Sequence, residues 1–82
     1  MPLLYNFDIE TTDDVMKVLA QNLRKRRLEK GFSRHVLSEM SGIPTPTIAK
    51  FEQNHTISLA SYVALAKALG YTKEIKELRS EE

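Results

Sequence analysis

The stretch GIPTPTIAKFEQN (Gly42–Asn54) crowds two prolines and two threonines into its front and then runs on with helix-compatible residues. Proline has no N–H to give a helix interior and belongs in a loop or in a first turn. A helix start is therefore expected at Pro44–Pro46, with Thr45 as the capping residue and Pro46 in the first turn. Pro44 keeps the preceding turn extended. Gly42 permits positive φ, so the chain can turn sharply just before, and Ile43 is expected to plug the core. On a helical wheel Thr47, Ile48, Phe51 and Glu52 share one face, and Pro46, Ala49, Lys50 and Gln53 the opposite one. That second face is small and polar, with a single cation. Asn54 is expected to take the left-handed conformation that ends a helix.

Upstream lies a second short helix, RHVLSEMS (Arg34–Ser41), capped by Ser33. Val36, Leu37 and Met40 form its apolar face, while Arg34, His35, Ser38 and Glu39 point away. Further upstream, TTDD (Thr11–Asp14) opens a long helix: Thr11 or Thr12 caps it and the aspartates suit its positive end. That helix is expected to run to about Lys30 and stop at Gly31. Val15, Met16, Leu19, Ala20 and Leu23 make its apolar stripe, and Arg27 extends the stripe by one turn.

Downstream of HTI (His55–Ile57), Ser58 caps a helix with Leu59, Tyr62, Val63, Leu65, Ala66 and Leu69 on its buried side. Gly70 stops it. Thr72 opens a last short helix carrying Ile75 and Leu78. At the front of the chain LLYNFDIE (Leu3–Glu10) alternates Tyr5, Phe7 and Ile9 with polar residues, a period-two pattern readable as a strand. The expected architecture is all-α: a compact five-helix bundle over residues 13–79, a short extended N-terminal arm over 1–12 and a tail over 80–82.

Composition narrows the options. The chain has 82 residues, 41% of them hydrophobic and 28% charged, which suits one small soluble domain. No window is long and apolar enough to span a membrane, and the first residues lack the features of a signal peptide. There is no cysteine, so disulfides, thiolate metal sites and cysteine nucleophiles are excluded; a reducing, cytoplasmic setting fits. Net charge is only +1, yet six of the 12 Lys and Arg fall within Arg24–Arg34. Asp8, Glu10, Asp13 and Asp14 precede this block, and Glu74, Glu77, Glu81 and Glu82 follow it. Such patterning makes either a local positive face or an ordinary solvated helix surface.

Two short helices joined by a tight turn at Gly42 form a helix-turn-helix plan, in which the second helix enters the DNA major groove. The abrupt start at Thr45 would then serve to make the tip of that helix protrude. Over Leu19–Tyr71 the chain resembles the phage repressor and Cro-like (xenobiotic-response-element type, lambda-repressor-like) regulators. The resemblance rests on Arg27, Gly31-Phe32-Ser33-Arg34, Leu37-Ser38, Gly42-Ile43-Pro44, Ile48, Glu52-Gln53-Asn54 and Leu65-Ala66-Lys67-Ala68-Leu69-Gly70, taken together at their spacing. Arg34 stands where the family has a glutamine, Pro44 where it has a capping serine, and Asn54 where it has a glycine. The short loop after Glu52 is also similar to antitoxin-type members paired with HipA-like kinases.

Arg27 and Glu52 are charged, yet each sits on the apolar stripe of its helix. An unpaired buried charge is costly, so the two are expected to form a structural ion pair, the alternative being that both snorkel at the core's edge. The family has an ion pair at the matching positions. Arg24, Lys25, Arg34, His35 and Gln53 are the phosphate candidates, and Thr45, Pro46, Thr47, Ala49 and Lys50 the base-edge candidates, with Thr47 partly inward. Pro46 can offer only apolar contact, such as with a thymine methyl.

What these features imply is a sequence-specific regulator of transcription, a repressor acting as a homodimer on a palindromic operator in double-stranded DNA. The second dimer half follows from the need for two half-sites. Either the arm, or Tyr71, Ile75 and Leu78, offers the dimer surface. The rival reading is an antitoxin that silences a partner toxin protein and regulates its own operon. No paired carboxylates, activated nucleophile or phosphate-cradling glycine loop supports an enzyme. His35 and His55 lack a ligand pattern, and neither a metal nor a cofactor is expected.

Overall fold

A computed structural model describes residues 11–76, which form five helices. These are α1 (Thr12–Glu29), α2 (Arg34–Ser41), α3 (Thr45–Asn54), α4 (Leu59–Leu69) and α5 (Thr72–Lys76). No strand occurs among the described residues, and the all-α class expected from the sequence holds. The arm residues 1–10, Leu78 and the tail lie outside the described residues.

Local chemistry sets most of the helix ends. Thr11 caps α1 in a reciprocal box: its hydroxyl accepts from the Asp14 N–H at 3.0 Å, and the Asp14 carboxylate accepts from the Thr11 N–H at 3.1 Å. Ser33 and Ser58 accept from the Val36 and Ser61 N–H groups at 3.0 and 3.1 Å, so both expected caps are present. Gly42 closes α2 at φ 78° and Gly70 closes α4 at φ 84°, where a Cβ would be strained. Two ends differ from expectation. The residue preceding α3 is Pro44, not Thr45, and it makes no side-chain cap. The left-handed residue after α3 is His55, at φ 65°, not Asn54, which completes the helix.

The core gathers Ala20 and Leu23 from α1, Leu37 from α2, Ile48 and Phe51 from α3, and Leu65, Ala66 and Leu69 from α4. α1 and α2 each pack against both α3 and α4, while α5 packs on α4. Phe51, Tyr62 and Tyr71 form an edge-to-face chain with ring centroids 5.7 and 6.3 Å apart. The Arg26 guanidinium lies 4.2 Å over the Tyr71 ring, and its Nη2 is 3.6 Å from a Glu74 carboxylate oxygen, which ties α5 to α1. Burial and the Tyr62 hydroxyl raise the Tyr71 pKa, so the phenol stays neutral.

Tyr71 is thus a core residue, which removes it from the expected dimer surface; Ile75 also packs partly against the core. Other apolar positions moved the opposite way. Leu59 is 77% exposed and Val63 39%, and Val15, Val36 and Met40 are exposed as well. Among the described residues α4 packs on α1, α2 and α5 and meets α3 through the Tyr62–Phe51 ring contact, which leaves its N-terminal turn uncovered at Leu59. Leu59 instead edges a small apolar groove of about 140 Å³ shared with Met16, Leu19, Phe51, Ile57 and Tyr62.

Candidate nucleic-acid interface

The turn between α2 and α3 is built from serine chemistry as well as glycine. The Ser41 hydroxyl donates to the Leu37 carbonyl at 2.7 Å and accepts from the Ile43 N–H at 3.1 Å. It therefore ties the last turn of α2 to the residue that starts the descent into α3. The Gly42 N–H donates to the Ser38 carbonyl at 2.9 Å. The place of Ser41 beside Gly42 is the signal in the sequence for this tie across the turn.

Two prolines settle how α3 can begin without a side-chain cap. A helix start leaves about four N–H groups without intrahelical partners. Here Pro44 and Pro46 have no N–H at all. The Pro44 carbonyl accepts from the Thr47 N–H at 2.9 Å and the Ile48 N–H at 3.2 Å. Among the described residues only the Thr45 N–H is left without a backbone partner at this end, so the threonine hydroxyls are not needed to hold the helix.

Below the tip α3 is fixed firmly. Ile48, Phe51 and Glu52 are buried. Opposite them Pro46, Lys50 and Gln53 are exposed, and Thr45, Thr47 and Ala49 are half-buried. The five base-edge candidates thus fall within residues 45–50 on either side of buried Ile48, with Thr47 half-buried like Thr45 and Ala49.

Glu52 anchors the unit through a carboxylate shared by two arginines. Arg27 Nε donates to Glu52 Oε2 at 2.7 Å, and Arg27 Nη2 donates to Oε1 at 3.0 Å, a bidentate pair. Arg27 Nη1 donates to the Phe32 carbonyl at 2.8 Å. The two side chains are only 7% and 1% exposed, so the expected ion pair is present and buried rather than snorkelling. A second cation joins it: Arg34 Nε donates to Glu52 Oε1 at 3.0 Å. Burial by itself would raise the Glu52 pKa. The hydrogen bonds from Arg27 and Arg34, with their charges, outweigh it and hold the carboxyl below its ordinary value of 4.5.

Arg34 therefore does not simply point away from the fold, as its wheel position implied. Its side chain is long enough to reach the carboxylate from the first residue of α2, and it ends up 32% exposed. The other phosphate candidates divide. Arg24, His35 and Gln53 are exposed, and His35 lies 3.5 Å from the Glu39 carboxylate one turn on. Lys25 is set apart: it lines a polar groove with Asn22, Arg26 and Glu29, on the flank from which Arg26 reaches α5. Two residues of α-helix separate it from Arg27 by about 160° around α1, and Arg27 faces α3.

A sequence model for the family described as helix-turn-helix matches residues 23–76, which takes in α2, the turn, α3 and α4 entirely. No curated protein and no solved structure matches the chain.

Proposed function

The chain belongs to the helix-turn-helix family of phage repressor and Cro-like regulators, and from that premise we propose that it represses transcription by binding a palindromic operator as a homodimer in the cytoplasm. The domain itself is a DNA-binding one. The observation that carries the finer reading is the two-sided build of α3. Ile48, Phe51 and Glu52 root one side in the core, while Pro46, Lys50 and Gln53 stand in solvent on the other.

In this reading α3 lies in the major groove. Thr45 and Thr47 offer hydroxyls, Pro46 and Ala49 offer apolar contact to thymine methyls, and Lys50 donates to acceptors such as guanine O6 or N7. Arg24, Arg34, His35 and Gln53 flank the groove and neutralise or bond phosphates, which fixes register without reading sequence. Binding, rather than turnover, is the function. Two copies related by a two-fold axis would place their α3 helices one DNA turn apart, about 34 Å, and exclude polymerase from the site.

Selection of bound duplexes from a random library, followed by footprinting, tests this. The expected result is an enriched palindrome with two protected half-sites. Bound DNA with no enriched sequence would refute specific recognition, and an enriched single half-site would refute the dimer.

A further inference from the structure

We propose that Glu52 is a positioning residue for the nucleic-acid backbone: it grips Arg34 by Nε and so aims the outer edge of that guanidinium at one phosphate. The inference rests on the DNA-binding reading above and adds to it how one phosphate contact is built.

The shared carboxylate treats its two arginines unequally. Each of the three Arg27 nitrogens is engaged, Nε and Nη2 on Glu52 and Nη1 on the Phe32 carbonyl, and the side chain is buried. Arg34 contributes Nε alone. Among the described residues its two Nη groups have no hydrogen-bond partner, and the side chain reaches the surface. A guanidinium is a rigid planar fork, so fixing Nε fixes the direction of the opposite edge. That edge carries the paired N–H groups that match a phosphate bidentately.

Charge points the same way. Two guanidiniums face one carboxylate, which leaves one positive charge uncompensated, and the exposed member of the trio is Arg34. Its rotamers are restricted by the Glu52 contact before any DNA arrives, so less freedom is lost on binding than for an untethered surface arginine. Simple electrostatics would have an acidic residue beneath a basic face weaken the hold on a polyanion. Here the acid improves it, by orienting the cation rather than by its own charge.

The test uses the full chain, a short duplex of random sequence, and fluorescence anisotropy over a salt series, because sequence-independent binding reports the phosphate contacts. Arg34→Gln keeps an amide donor for Glu52 but removes the charge. It should melt near the wild type, bind roughly tenfold more weakly, and flatten the slope of log K against log salt by about 0.9, the loss of one phosphate. Arg34→Lys keeps the charge without the fork. It should retain the slope yet bind several-fold more weakly than wild type. Arg34→Lys binding as tightly as wild type would reduce Arg34 to a bare charge and overturn the positioning role. Arg34→Gln with an unchanged slope would make Arg34 purely structural and overturn the phosphate contact. A wild-type chain whose duplex binding is absent or insensitive to salt would instead overturn the DNA-binding reading on which the inference rests.

Discussion

Replacing Arg27 by Met and Glu52 by Leu, singly and together, probes the buried centre of the fold most directly. Breaking a buried ion pair by removing one partner costs about 3–5 kcal/mol. The geometry orders the two single variants. Arg27→Met leaves Glu52 with one cation, Arg34 at 3.0 Å, and deprives the Phe32 carbonyl of its donor; a loss of about 3 kcal/mol is expected. Glu52→Leu orphans two cations, one of them buried, and should cost about 4–5 kcal/mol. A small domain has little more than about 5 kcal/mol to lose, so the second variant should sit close to its unfolding transition at room temperature. In the double variant two apolar side chains meet where the ions were, and Arg34 can turn into water. It should be no less stable than Glu52→Leu alone, with a coupling of about 3 kcal/mol. Urea unfolding followed by far-ultraviolet circular dichroism gives all four stabilities, and a common m-value confirms that the folded states are comparable. Losses that simply add would refute the claim that the two residues depend on each other.

Further expectations follow from the same structure. Because the Glu52 pKa is lowered by folding, its contribution to stability is fully present above the unfolded value of 4.5 and is lost as pH falls below it; the Arg27→Met/Glu52→Leu variant should show a shallower acid limb in pH-dependent melting than the wild type. Leu59→Ala should cost under about 0.5 kcal/mol, as an exposed position does, whereas Leu65→Ala should cost about 2–5 kcal/mol; equal losses in urea unfolding would contradict the packing of α4. His55→Gly should raise stability by about 0.5–1 kcal/mol, because glycine adopts φ 65° without steric cost, and an unchanged or lowered melting temperature would count against the left-handed turn after α3.

Legibility in the sequence followed the range of the interaction. Ser33, Ser58, Gly42 and Gly70 act on neighbours within four residues, and their roles could be read directly. Arg27 and Glu52 are 25 positions apart, yet they could be paired because each broke an apolar stripe, and two buried charges of opposite sign need one another. Arg34 was harder. A wheel places Cα atoms, and a side chain with several rotatable bonds can leave the face on which its Cα sits. Leu59 and Val63 were misplaced for another reason: periodicity shows which residues can share a face but not whether a neighbour exists to cover it. Tyr71, between Gly70 and Thr72, belongs to no helical stripe, and only the approach of Arg26 and Tyr62 reveals it as core. At the candidate interface the contiguous stretch from Thr45 to Lys50 was legible from the prolines. Lys25 was not separable from Arg24 without knowing which flank of α1 meets α5.

The way α3 begins also bears on how such a protein can change over generations. Its first turn is fastened by the Pro44 carbonyl and by two prolines that remove N–H groups otherwise needing partners. The hydroxyls of Thr45 and Thr47 and the ammonium of Lys50 take no part in that fastening. If these residues read base edges as proposed, a substitution at one of them would alter what the tip recognises while the helix keeps its start. On that proposal, lineages carrying this turn would drift from one operator to another by single steps, each through a folded intermediate, and a library randomised at residues 45, 47 and 50 should yield mostly folded members.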